Sequence, residues 1–232
     1  MPSLRHSLAL LVLTGILVIS GFGEDVHLRV QITHETTAGE KSPNNANVVV
    51  WLMPLDEPAS STPMQHVRMV QKNKRFVPHQ LVITKGTKVE FPNEDPFFHN
   101  VFSIYKGKRF DLGLYEAGGS RSVEFDRPGV SFIFCNIHPE MSGIIIVLDT
   151  PYFAESNSAG DVHIANVPPG RYRLDVWYER SSAEALARVS RVINVPLQHE
   201  LGVLDVLEVV PANAPHKNKY GKDYDTNQPY KP

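Results

Sequence analysis

Residues 127–141 read Arg-Pro-Gly-Val-Ser-Phe-Ile-Phe-Cys-Asn-Ile-His-Pro-Glu-Met. Pro128-Gly129 makes a turn, and Val130–Phe134 is apolar on both faces, which predicts a buried strand. The strand runs into Cys135, the only cysteine, with His138 three positions on and Met141 three beyond that. A short loop stiffened by Pro139 then sets a thiolate, an imidazole and a thioether around one point. With a second imidazole, these donors form a trigonal His2Cys copper centre with a weak axial methionine, a ligand set for electron transfer. Each donor also has an ordinary reading. A lone cysteine is usually a small buried apolar residue, a loop histidine is usually solvated, and a methionine usually packs a core. Taken alone, Cys135 favours the ordinary reading, and the weight of His138 comes from its spacing to the cysteine.

The candidate for the second imidazole is His99, in Val89-Glu90-Phe91-Pro92-Asn93-Glu94-Asp95-Pro96-Phe97-Phe98-His99-Asn100-Val101. Residues 75–141 resemble the plastocyanin-like cupredoxins. The likeness rests on Phe76-x-Pro78, Leu81-x-Ile83-x-x-Gly86-x-x-Val89-x-Phe91, Asn93-x-Asp95 with His99-Asn100-Val101, and Phe125-x-x-Pro128-Gly129-x-x-x-Phe132-x-x-Cys135-x-x-His138. The Cys-x-x-His-x-x-Met spacing is most similar to the short-loop, amicyanin-like members. The resemblance covers about a third of the chain. It implies one type 1 (blue) copper ion held by His99, Cys135, His138 and Met141, and electron transport to a redox protein partner. It also implies that Asn100 hydrogen-bonds across to the cysteine loop, and that electrons pass at the edge of His138. Phe97, Phe98 and Pro139 offer an apolar rim for docking, or ordinary packing.

Residues 1–23 read as a secretory signal peptide. Arg5 is the positive start, Leu8–Ile19 is an apolar run short for a bilayer, and Gly21-Phe22-Gly23 offers small residues for cleavage. A retained anchor helix is the alternative. The expected mature protein is periplasmic or secreted, with no stable membrane span after cleavage. A formal charge of -2 argues against nucleic acid as a partner. One cysteine excludes an internal disulfide framework.

The rest of the chain predicts an all-β fold. Val26–Thr33 alternates, Val48–Leu52 is β-branched, and Pro54–Pro63 is a loop and a candidate boundary. From 61 to 149, short runs between Gly and Pro turns predict a Greek-key sandwich; His66–Gln71 is read there as one strand. Ser158-Ala159-Gly160-Asp161 through Val167-Pro168-Pro169-Gly170-Arg171-Tyr172 to Trp177 resembles the carboxypeptidase regulatory-like (transthyretin-like) β-sandwich. That family begins with two strands like those of residues 25–53. The expected division is therefore a discontinuous sandwich over 24–60 and 150–210, with a copper domain over 61–149 inserted in its loop. The combination is similar to bacterial proteins labelled methylamine utilisation proteins. Ser181–Ser190 reads as a hairpin arm or a short helix capped by Ser182, with the hairpin preferred. The segment 211–232, rich in Pro, Lys, Asn and Tyr, reads as a flexible tail.

A multicopper oxidase or a copper nitrite reductase needs further histidine-rich sites. The ten histidines include no His-x-His pair, so an enzyme is not expected. The alternatives to an electron carrier are a non-redox module for copper delivery, and a structural binding protein with a vestigial site.

Overall fold

The computed structural model describes residues 23–34, 41–58, 60–104, 107–209 and 217–224. Apart from Gly23, the expected signal peptide lies outside the described residues. No helix among the described residues is long and apolar enough to cross a membrane.

The fold is all-β. The chain opens with β1 (Glu24–His34) and β2 (Val49–Pro54). There follow β3 (Val67–Arg68), β4 (Val70–Lys72), β5 (Arg75–Val77), β6 (Gln80–Thr84), β7 (Thr87–Pro92) and β8 (His99–Ser103). Next come β9 (Phe110–Tyr115), β10 (Ser120–Phe125), β11 (Gly129–Phe134) and β12 (Ser142–Leu148). The chain then returns through β13 (Phe153–Glu155), β14 (Asp161–Val167), β15 (Gly170–Trp177), α1 (Ala183–Val189), β16 (Arg191–Val195) and β17 (Val203–Glu208).

The strands form four main sheets, ordered β14-β1-β17, β13-β2-β15-β16, β6-β12-β11-β8-β9 and β10-β7-β3, with β4-β5 as a separate hairpin. Three apolar cores lie between successive sheets. The first takes Val26, Leu28, Val30 and Ile32 from β1, against Val50, Leu52, Leu174 and Val176. The second joins the middle sheets: Val49 packs with Val82, Ile144, Ile146 and Leu148, edged by Trp51 and Trp177. The third holds Val89, Phe91, Val101, Phe125, Ile133, Ile145 and Val147, together with Cys135 and Met141.

Side chains alternate along a strand, which explains how two strands serve two cores each. On β2, Val50 and Leu52 face the first core while Val49 and Trp51 face the second. On β12, Ile144, Ile146 and Leu148 face the second core while Ile145 and Val147 face the third. Burying such an aliphatic side chain is worth about 1.5–3 kcal/mol, so the joint resembles a protein interior. Polar contacts rim it: Gln80 Nε2 donates to Glu155 Oε2 at 2.6 Å, and His79 Nε2 lies 3.0 Å from Glu179 Oε2.

Three details depart from sequence expectation. Residues 183–189 are helical rather than a hairpin arm. The Ser182 side chain accepts the Ala185 N–H at 3.1 Å, and Ala185 is buried; capping and helix-forming residues prevail because the segment has no period-two alternation. His66–Gln71 is not one strand, because β3 pairs with β7 and β4 pairs with β5, on either side of the buried Met69. Finally, residues 217–224, within the segment read as a tail, make specific contacts with the Cys135 loop.

Candidate metal centre

Strand β11 delivers the cysteine. Ile133 and Cys135 lie two apart, so both face the third core. The β11–β12 ladder ends at the pair Phe134–Ser142, so residues 135–141 form the connecting loop. Its ends are tied: the Cys135 N–H donates to Met141 O at 3.2 Å, and the Met141 N–H donates to His138 O at 3.0 Å. The tight turn explains why the spacing of three converges. His99 opens β8 with the parity of Val101, which also faces this core.

The structure brings His99, Cys135 and His138 together. Cys135 Sγ lies 3.7 Å from His99 Nδ1 and 3.8 Å from His138 Nδ1. The two rings sit 4.9 Å apart, inclined at 63°. A metal bonded to sulfur at about 2.3 Å and to imidazole nitrogen at about 2.0 Å, with trigonal angles, separates those donors by about 3.7 Å. The donor set and its spacing therefore fit one soft or borderline ion. His99 and Cys135 are fully buried, and His138 is partly exposed. Met141 is also fully buried in this core.

Surrounding groups fix each donor. His99 Nε2 lies 2.8 Å from Asp95 Oδ2; donating a proton there leaves Nδ1 bare toward the sulfur. Asp95 is itself held by the N–H groups of Asn73 at 2.6 Å and Lys74 at 2.9 Å. Burial pushes the Asp95 carboxyl up, but those two N–H groups and His99 outweigh it and hold it below the usual carboxylate range. Burial also pushes the Cys135 thiol up, against the N–H groups of Asn100, Ile137 and His138, which point at the sulfur. The buried thiol thus keeps its proton until a cation replaces it, and three N–H donors wait for the thiolate. Burial, with the nearby His99 and Lys74, lowers the His138 pKa, which favours the neutral imidazole that metals bind.

Asn100 links to the cysteine through its backbone N–H; its side chain donates instead to Asp111 Oδ1 at 2.8 Å and to Gly113 O at 2.9 Å. Phe97 packs against both histidines, with ring centroids 5.2 Å from His99 and 5.6 Å from His138. Phe98 is 49% exposed and Pro139, the next residue after His138, is exposed, while Phe97 is the apolar neighbour of the partly accessible His138. The segment 217–224 closes one side. Tyr224 Oη donates to Cys135 O at 2.9 Å, the Lys219 N–H donates to Asn136 Oδ1 at 3.0 Å, and Lys219 Nζ reaches Asp111 Oδ2 at 2.9 Å.

Three supporting residues escape a reading of the sequence. Asp95, four residues before His99, is the one with a local signal. Asp111 and Tyr224 have none, because they reach the site only through folding.

No family model matches the chain, and no curated protein matches it. Solved structures do match in part. A copper-containing nitrite reductase (NirK) from Thermus scotoductus SA-01 is 30% identical over 41% of this chain, with a TM-score of 0.35. This chain spans only a quarter of that reductase. A purple cupredoxin from Nitrosopumilus maritimus is 26% identical over 35% of this chain and 99% of its own, with a TM-score of 0.33. An oxidised amicyanin variant is 16% identical over 43% of this chain and 98% of its own, with a TM-score of 0.34. Each TM-score lies below 0.5, so the functional reading stands on the residues themselves.

Proposed function

We propose that this chain is an exported type 1 copper protein that passes single electrons through His99, Cys135 and His138, with Met141 as the weak axial donor. The observation that carries the reading is the convergence of one sulfur and two imidazole Nδ1 atoms at 3.7 and 3.8 Å. Copper held there supplies one-electron chemistry between Cu(II) and Cu(I). The protein supplies rigidity. Asp95 fixes the His99 ring, three N–H groups stabilise the thiolate, and the tied loop keeps the donors from rearranging. His138, partly exposed, packed against Phe97 and followed by Pro139, is the route for electrons to a redox protein partner. The separation of the three apolar cores supports a cupredoxin unit over 61–149 set within a discontinuous sandwich of 24–60 and 150–210. The signal peptide reading of residues 1–23 supports a periplasmic or secreted protein.

The test is a visible spectrum after one equivalent of Cu(II). An intense thiolate-to-copper band, absent in Cys135→Ser, is expected. Copper binding without colour overturns electron transfer in favour of a delivery module.

A further inference from the structure

Two histidines outside the Cys135 loop meet on the outermost sheet. Strand β1 alternates, so Asp25, His27 and Arg29 share its exposed face while Val26, Leu28 and Val30 point into the first core. On β14, Asp161 and His163 lie on the same exposed face. The register pairs His27 with His163 and Arg29 with Asp161. The two imidazoles stack with centroids 4.4 Å apart and planes 4° from parallel.

Asp25 joins them from the same face of β1. Opposite it the register shifts between Glu24 and Val26, with the extra residue on β14. One Asp25 carboxylate oxygen lies 2.9 Å from His163 Nε2, and the other accepts the Asn166 N–H at 2.9 Å. Asn166 and His163 hold the Asp25 carboxyl below the usual range, so it is anionic at neutral pH. Arg29, on the same face, is paired with Asp161 through two contacts of 2.8 and 3.0 Å. It therefore does not neutralise Asp25. His27 and His163, with Glu200, line a groove of about 720 Å³.

We propose that Asp25, His27 and His163 form a second metal site, for a divalent late transition ion such as Zn(II) or Cu(II). One ligand atom from each lies within 4.8 Å of the others. Two imidazoles with one carboxylate suit zinc and copper, whereas calcium and magnesium take oxygen donors. Parallel rings do not aim at one point, so binding turns one or both about the Cβ–Cγ bond until their nitrogens converge. Both rings are exposed, with the His163 side chain 52% accessible, so the turn costs little packing. Water completes the coordination, and the ion displaces the ring stack and the Asp25–His163 contact.

The test is calorimetric titration of the full chain with Zn(II) at pH 7.5. The comparison is between Cys135→Ser alone and Cys135→Ser combined with His27→Ala or His163→Ala. A site that survives Cys135→Ser and weakens at least about tenfold when either imidazole is lost is expected. No Zn(II) site in Cys135→Ser, or one indifferent to both histidines, overturns the proposal. Should Cys135→Ser fail to fold, the wild-type chain serves: His163→Ala must weaken one Zn(II) site at least about tenfold or remove it, and an unchanged isotherm overturns the site. The copper band reads the Cys135 centre separately, and must be the same in His163→Ala and wild type.

Discussion

At the Cys135 loop, His99 is buried and bound on both sides, with Nε2 on Asp95 and Nδ1 turned to the sulfur. On the outer sheet, His27 and His163 stack in the open, and His163 has a carboxylate partner in Asp25. The strand ladder carries a register shift in both places. What differs is the layer: the first cluster sits inside the third core, the second on a face that meets water. A buried cluster is preorganised, because every displaced donor leaves a polar group without a partner. An exposed cluster has water as an alternative partner for each donor, so it binds by rearranging. The first arrangement suits an ion that changes oxidation state with little motion. The second suits an ion that comes and goes.

The largest expected effect is Cys135→Ser, which abolishes the visible copper band while leaving the outer-sheet site intact; a surviving band would erase the distinction between the clusters. Asp95→Asn comes next. An amide holds the His99 ring less firmly than a carboxylate, so copper affinity should fall about 10–100-fold, as read by competition with a chelator. His163→Ala should weaken Zn(II) by about tenfold and leave thermal stability within about 0.5 kcal/mol, as expected for an exposed site. Met141→Leu should keep copper and shift its reduction potential, measured by voltammetry; loss of copper would show that the thioether holds the ion rather than tunes it. The smallest effect belongs to Tyr224→Phe. It removes one hydrogen bond to Cys135 O, worth about 0.5–1.5 kcal/mol, and should speed copper loss to a chelator without changing the colour.

How much of this was legible beforehand follows from distance along the chain. The Cys135–Met141 spacing is local, and it announces the loop. His99 needed the resemblance to a family, since it lies 36 residues before the cysteine. Asp95 was visible only as part of a motif, and its hold on His99 needed the fold. The alternation of β1 predicted its buried face correctly, yet could not show that His27 meets His163, because a pairing across 136 positions is decided by register. Strand β9 went unread because residues 110–115 mix buried and exposed positions without strict alternation. At α1, Ala and Leu carried a helical preference that a preferred hairpin reading passed over.

The pairing of β1 carries a consequence for how the molecule is made. It lies between β14 and β17, whose residues follow it by more than a hundred positions. A chain emerging from its N-terminal end therefore holds β1 and β2 without their partners while every strand of the two sheets around Cys135, from β3 to β12, is already present. The sheets around Cys135 can assemble while the first sandwich is still waiting for its far half. Tyr224 reaches the cysteine loop after all of them, so the latch on that loop is set by nearly the same stretch of synthesis that completes the opposite end of the molecule.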